Sequence, residues 1–309
     1  MIGSVRGEAC PARIASGAVG IALATCEHPP VPDKDAELLI PALAERGVSA
    51  ELVAWSDPDA GWEAYELVVI SSTWDYHERL EQFLSWLRRT DERTEVENPP
   101  PLIEWNVDKR YLRSLEQAGV PVIPTVWVEP DSGGAGVREA VARGWERLVV
   151  KPAVDLGAAR LSRVDALGVR DAIAEIDAPC LVQPYLGSLE VEGELSLVYL
   201  GGELSHAVRK VPASGDFRVQ EHHGGRFARE EPSGEAIAIG KAVWATVESG
   251  PGPAPLYGRV DLVRDEAGPL CVIELELIEP SFYLHVVGGN ETARAAEVIA
   301  GRVRKAERA

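Results

Sequence analysis

The chain is short of positive charge. Its 31 Lys and Arg residues face 49 Asp and Glu, a net charge of −18. Nucleic acid is therefore not an expected partner, because binding phosphate backbones needs clustered cations. The imbalance carries no information about the fold. Cysteine is scarce as well. Cys10, Cys26, Cys180 and Cys271 are scattered, with no CxxC spacing. This excludes a zinc knuckle or a disulfide framework and leaves reduced thiols in a cytoplasm as the expectation. No apolar run reaches the length of a membrane span. The first residues lack the apolar stretch and cleavage site of a secretion signal, so no membrane partner is expected. Several catalytic signatures are missing too: no GxGxxG follows the first strand, and there is no GxSxG elbow and no HExxH pair. Gly234 to Lys241 imitates a phosphate loop and fails. Its first glycine stands six residues before Gly240 instead of five, and Ala242 replaces the Ser or Thr that would hold Mg²⁺. His222 and His223 are adjacent, point different ways, and make a poor metal pair.

What is present is a chain of 309 residues with 46% hydrophobic content, enough for a core in two or three lobes. Residues 1–18 read as a flexible lead. From 19 to 100, short apolar runs (19–25, 50–55, 67–71) alternate with helical spacing (33–46, 75–89). That alternation predicts an α/β domain with a parallel sheet. Ligands of such sheets lie beyond the carboxyl ends of the strands, which puts STWDY (72–76) at a candidate substrate mouth. A helix cap at Thr73 or Asp75 accounts for the same residues. The NPPP run (98–101) marks a boundary. Beyond it the pattern predicts a helix over 106–119 with Lys109 near its start. Strands are predicted over 122–128, 148–152 (ending on Lys151) and 180–186. A hairpin through Gly201-Gly202 is predicted to join 194–200 to 203–209.

The most informative stretch is YGRVDLVRDEAGPLCVIELELIEPSFY, residues 257–283. Two strand-like runs flank a turn at 264–268. Alternation puts Glu274 and Glu276 on one face, and a hairpin brings Asp261 beside them. Three half-buried carboxylates are costly unless a cation neutralises them, and a hard divalent ion would serve. A solvated edge hairpin with its acids facing out fits the same residues.

The ordered set Lys109, Lys151, QPYL (183–186), Lys210, Arg218, Asp261, Glu274 and Glu276 resembles the ATP-grasp superfamily over roughly residues 98–285. Within it, the likeness is to the glutathione-synthetase-like carboxylate–amine ligases. The segments STWDYHERL, NPPPLIEWNVDKRYL, VVKPAVDLGAARL, GDFRVQEHHGG and VIELELIEPSFYL narrow it. They look like the O-ureido-D-serine cyclo-ligase group of the cycloserine pathway. The resemblance implies an ATP-grasp fold, two α+β lobes gripping ATP behind the small α/β domain. Its boundaries are 19–100, 101–187 and 188–309. It implies Mg²⁺, with Mn²⁺ as an alternative ion, on Asp261, Glu274 and Glu276. ATP falls to Lys109, Lys151 and the backbone of Gln183, Tyr185 and Leu186, with Glu190 or Glu194 on the ribose. Lys210, Arg218 and Arg259 fall at the reacting groups. Trp74, Asp75, Tyr76 and Glu279 are the candidates for an amino-acid-like carboxylate substrate, with Asp75 or Glu279 holding its ammonium and Arg218 or Arg259 its carboxylate. Glu276 stands where many members carry Asn, and Ser196 where glutathione synthetase carries Arg.

The implied chemistry is transfer of the γ-phosphoryl group to a carboxylate, then attack by a nitrogen. In a cyclo-ligase that nitrogen belongs to the same molecule. A ligase joining a separate amine and a nucleotide-binding module without turnover are the alternatives. A homo-oligomer is left open by the sequence.

Overall fold

The computed structural model describes residues 20–130, 134–156, 160–213 and 224–306. The 1–18 lead, Arg218 and the His222-His223 pair lie outside the described residues.

The first sheet holds β1 (Gly20–Thr25), β2 (Ser49–Ala54), β3 (Leu67–Ser72) and β4 (Glu95–Glu97), in the order β2-β1-β3-β4 with every pairing parallel. The apolar runs β1 and β3 are central, as continuous hydrophobic strands in a covered parallel sheet must be. One face packs Ile21 and Leu23 against Leu39 and Leu43 of the Lys34–Ala44 helix. The other packs Ala22 and Ile70 against Phe83 and Trp86. Asp33 caps the first helix by accepting the Ala36 N–H at 2.9 Å. The helix expected over 75–89 is a 3₁₀ turn, Tyr76–Arg79, running into an α-helix, Leu80–Asp91.

The second sheet is antiparallel: β5 (Val126–Val128), β6 (Arg147–Pro152), β7 (Ser162–Asp165) and β8 (Cys180–Pro184), in the order β5-β8-β6-β7. Its first strand is shorter than predicted. Pro121 and Pro124 have no N–H to donate, and Val122 makes only a single bridge to Val272. The third sheet, also antiparallel, runs β11-β10-β9-β12-β13. Its strands are β9 (Glu194–Leu200), β10 (Glu203–Val211), β11 (Arg226–Arg229), β12 (Tyr257–Arg264) and β13 (Leu270–Glu276). Gly201 and Gly202, at φ 63° and 86°, make the predicted hairpin turn.

The helix predicted over 106–119 is confined to Tyr111–Gln117, and a separate helix, Pro100–Asn106, precedes it. The proline run does not only break the chain: Pro100 and Pro101 occupy the first helical turn, where a missing N–H costs nothing. Lys109 sits in the turn between the helices. There its N–H donates to the Ala153 carbonyl at 2.9 Å, and Asp108 ties back to the Arg110 N–H at 2.9 Å.

The sheets do not share cores equally. Val126, Val128, Leu148, Val150, Val182 and Ile176 close a core drawn from the second sheet and its own helices. The first and third sheets share one. Ile21, Leu23 and Leu39 pack with Val198, Leu200, Tyr257 and the 289–306 helix. Asn98 pins the same joint. Its amide donates to the carbonyls of Tyr257 (2.9 Å) and Leu277 (2.8 Å), and its oxygen accepts the Leu256 N–H at 2.7 Å. Among the described residues no helix is long and apolar enough to cross a membrane.

Candidate active site

A cleft of about 500 Å³ opens between the three sheets. Its floor is the hairpin β12–β13. The register sets Arg259 opposite Glu276 and Asp261 opposite Glu274, and a β-bulge follows at once: Leu262 pairs with Val272, leaving Ile273 as the extra residue. The bulge turns Ile273 and Glu274 into the cleft together while Val272 stays in the core. Asp261, Glu274 and Glu276 bring carboxylate oxygens within 4.8 Å of one another. The hairpin therefore aims its acids inward, not at solvent as the alternative reading had it.

Cations surround this group. Arg259 donates to Asp261 through Nε at 3.0 Å and also bonds Glu276. Ser196 donates to Asp261 at 2.5 Å, and Lys210 reaches it at 3.2 Å. Lys109 lies 3.3 Å from Glu274 and donates to the Asp155 carbonyl at 2.7 Å. Burial opposes ionisation of Asp261, but Arg259 and Lys210 outweigh it and hold its carboxyl well below the usual range. Burial likewise opposes the charge on Glu274, and Lys109 and Lys151 hold it low. Glu276 differs: burial pushes it up to about 7, Arg259 offsets part of this, and Asp261 and Glu274 add to it. A hard divalent cation fits here, since the donors are all oxygen and the Glu276 charge is only partly neutralised.

Lys151 is fully surrounded. Burial lowers it to about 8, opposed by Glu274 and helped by Lys109. Lys210 is shared by Glu194 and Asp261. Burial works against its charge, yet the two carboxylates hold the ammonium above its ordinary value. Glu194 is pushed up to about 8, because burial and the competing Asp261 exceed what Lys210 returns. Gly193, at φ 73°, permits this contact, since a Cβ there would meet the Lys210 carbonyl oxygen at 2.1 Å.

The remaining sequence candidates divide. Gln183, Tyr185 and Leu186 line the cleft, with the Gln183 amide donating to Thr125 Oγ1 at 3.0 Å. Trp74 and Tyr76 line it from the first domain, and Tyr76 is also core, 5.1 Å from the Phe83 ring. Glu279 is buried and faces the cleft, and among the described residues its Oε2 has no hydrogen-bond partner. Burial and the charge on Glu276 push its carboxyl well up.

Three expectations need correction. Asp75 does not face the cleft: its carboxylate accepts Trp55 Nε1 at 2.7 Å and pairs with Arg79, inside the first domain. Glu190 is exposed and bonds the Tyr185 hydroxyl and Arg163 (3.5 Å), outside the cleft that Glu194 lines. Arg259 shares a strand face with Asp261 as the period of two predicts. Its guanidinium, however, is occupied by Asp261, Glu276 and the Ser281 carbonyl instead of standing open for a substrate carboxylate.

Sequence reasoning missed Asp155, Asp35 and Tyr283. Asp155 is buried at the cleft wall, with Oδ1 unpartnered among the described residues. Its only signal was its place just after the Lys151 strand. Asp35 gave none beyond that of an ordinary first-turn acid. The near-miss phosphate loop has a packing explanation: Gly240 lies inside the Gly234–Glu248 helix, where a Cβ would meet the Tyr199 hydroxyl at 2.4 Å.

Residues 21–98 match the family model described as the N-terminal domain of D-cycloserine synthetase DcsG. The cycloserine biosynthesis protein DcsG of Streptomyces lavendulae is 33% identical over 285 residues, covering 88% of this chain and 95% of that protein. The crystal structure of D-cycloserine synthetase DcsG superimposes with a TM-score of 0.84 at 31% identity, covering 92% of this chain and 99% of the other. The ATP-grasp ligase PsnB, solved with a phosphomimetic variant of its minimal precursor, Mg and ADP, is similar in fold alone. Its TM-score is 0.62 at 17% identity, over 92% of this chain and 98% of that one.

Proposed function

Because this chain belongs to the DcsG family of ATP-grasp ligases, we propose that it closes an amino-acid-like substrate into a ring, with O-ureido-D-serine the substrate type. The observation that carries the reading is the cleft itself. Buried lysines line one end, an oxygen-only acidic cluster forms the floor, and Glu279 stands beside that floor with one oxygen unpartnered among the described residues.

Lys109 and Lys151 offset phosphate charge at the nucleotide end, in a site dry enough for each charge to count. Asp261, Glu274 and Glu276 would hold Mg²⁺, which when bound supplies positive charge to the transferring phosphoryl group. The substrate carboxylate takes that group and becomes an acyl phosphate, converting an oxide into a good leaving group. Lys210 stands at this end, already charged. Glu279 accepts the substrate ammonium, which satisfies its lone oxygen and offsets the cost of its burial. Trp74 and Tyr76 keep water from the activated carboxyl. The nitrogen attached to the side-chain oxygen attacks that carbonyl, phosphate departs, and a five-membered ring forms. Water then removes the carbamoyl group as CO₂ and ammonia. Holding both ends of one small molecule supplies the proximity a separate amine would have to find by binding.

The test is phosphate release from Mg-ATP with O-ureido-D-serine and a panel of related carboxylates, with and without free amines, each product identified by mass. Release without added amine, with a cyclic product, is expected. Release that depends on an added amine and yields a linear amide makes the protein an intermolecular ligase instead.

A further inference from the structure

The loop leaving β13 is held from two sides. Asp35 belongs to the first turn of the Lys34–Ala44 helix. Its Oδ2 accepts the N–H groups of Phe282 at 2.6 Å and Tyr283 at 3.2 Å, and its Oδ1 accepts that of Leu284 at 2.8 Å. From the third sheet, buried His206 places Nε2 2.7 Å from the Phe282 carbonyl, and Arg259 donates to the Ser281 carbonyl at 3.3 Å. Three successive N–H groups converging on one carboxylate form an anion nest, and a nest requires the chain to curl. The curl falls on Tyr283, at φ 55° and ψ 36°. A bulky residue keeps this left-handed conformation only where its surroundings impose it.

The imposed conformation puts the Tyr283 ring in the cleft, buried, beside the cations of the acidic floor. Arg259 Cζ lies 5.3 Å and Lys210 Nζ 5.8 Å from the ring centroid, both within cation–π reach, and the Phe227 ring packs at 5.3 Å. Asp35 also lines the cleft, but both its carboxylate oxygens are taken up by these three backbone N–H groups, so it acts through the backbone it grips.

We infer that Asp35 is a positioning residue for the acceptor site. Its grip on residues 282–284 sets the Tyr283 ring as the wall that shuts the site against water and a second amine. This deepens the cyclo-ligase reading and rests on it. Tyr283 touches the acceptor, so its loss opens the wall; Asp35 sets the wall, so its loss loosens it. The nucleotide end, lined by Lys109 and Lys151, feels neither change.

The experiment compares the wild type with Asp35→Asn, Tyr283→Phe and Tyr283→Ala. It measures amide hydrogen exchange along the chain and steady-state kinetics with Mg-ATP and O-ureido-D-serine. In Asp35→Asn the amides of 282–284 are expected to exchange about tenfold faster or more, as a local opening would make them. The acceptor KM should rise about tenfold at unchanged ATP KM, because only acceptor contacts are lost. More phosphate should be released per ring closed. Tyr283→Ala should reproduce the kinetic loss and gain linear amide when an amine is added, while Tyr283→Phe keeps wild-type coupling. Unchanged exchange at 282–284, or an ATP KM that rises with the acceptor KM, overturns the inference. If Asp35→Asn fails to fold, Asp35→Ser takes its place, where faster exchange at 282–284 is expected and unchanged exchange overturns the inference, while loss of coupling in Tyr283→Ala but not in Tyr283→Phe is what the wall requires. A wild type that closes no ring while Asp35→Asn still frees the 282–284 amides overturns the reaction reading and leaves the grip standing.

Discussion

The two faces of the β9–β12–β13 sheet are built from alternating residues of the same strands and do opposite things. One face sends Leu195, Leu197, Val260, Leu262 and Leu275 against Trp244 and Val243 of the 234–248 helix. The other sends Glu194, Ser196, Arg259, Asp261, Glu274 and Glu276 into the cleft. The apolar face gains by leaving water, roughly 25 cal/mol per Å² of apolar surface. The charged face loses by leaving water and recovers only part of the cost through mutual pairing. Stability and reactivity are thus separated by a single residue step, and substitutions one position apart should separate them too.

The largest effect is expected on the charged face. Asp261→Asn keeps the shape but removes the charge held by Arg259, Lys210 and Ser196. Product formation should fall by about 10²–10³-fold, the cost typical of losing one preorganised charge contact. The kcat of the variant, with a thermal melt to show that it is folded, checks this; turnover within tenfold of wild type would remove Asp261 from the reaction centre. Next comes the apolar face. Leu197→Ala should cost about 2–5 kcal/mol of stability by opening a cavity, with kcat per folded molecule unchanged. Denaturant unfolding beside an active-site titration measures both. A drop in kcat equal to that of Asp261→Asn would show that the faces are not independent.

The smallest effect concerns pH. Lys151, lowered to about 8 by burial, loses its proton as pH rises through that value in the free protein, whereas bound phosphate would keep it charged. Nucleotide binding above pH 8 must then take up a proton, and affinity should fall by up to about tenfold per pH unit. Calorimetry in buffers of different ionisation enthalpy reads the proton directly. Lys151→Arg should flatten the profile, and a flat wild-type profile would mean that Lys151 does not meet the phosphates.

Much of this was legible in the sequence because it is local. The apolar runs of β1 and β3, the Gly201-Gly202 turn and the alternation of Glu274 with Glu276 follow from backbone geometry, and alternation with one hairpin brought in Asp261. The rest depended on what comes near in space. Lys109 looked helical because its neighbours have helical spacing, but contacts of Asp108 and Ala153 hold it in a turn. Asp75 was placed in the cleft by its position after β3, but Trp55, twenty residues earlier in the chain, claims its carboxylate. The bulge at Ile273 breaks the period of two, so no alternation rule could put Ile273 and Glu274 in the same cleft. Asp35 meets its partners 247 to 249 residues away, a distance across which local pattern is silent.

The unequal sharing of cores has a mechanical consequence. Separating the first sheet from the third would strip a common core and the bonds of Asn98, so those two parts are packed as one body. The sheet carrying Lys151 and Gln183 keeps a core of its own and meets the rest through smaller contacts: Leu186 with Ile123 and Val263, Trp127 against the core of the third sheet, Leu156 against that of the first, and the Lys109 turn. The two ends of the cleft therefore rest on separately packed parts: loosening the core around Val150 and Val182 would reach Lys151 and Gln183 first, while Tyr283 stands between Phe282 and Leu284, which belong to the shared core.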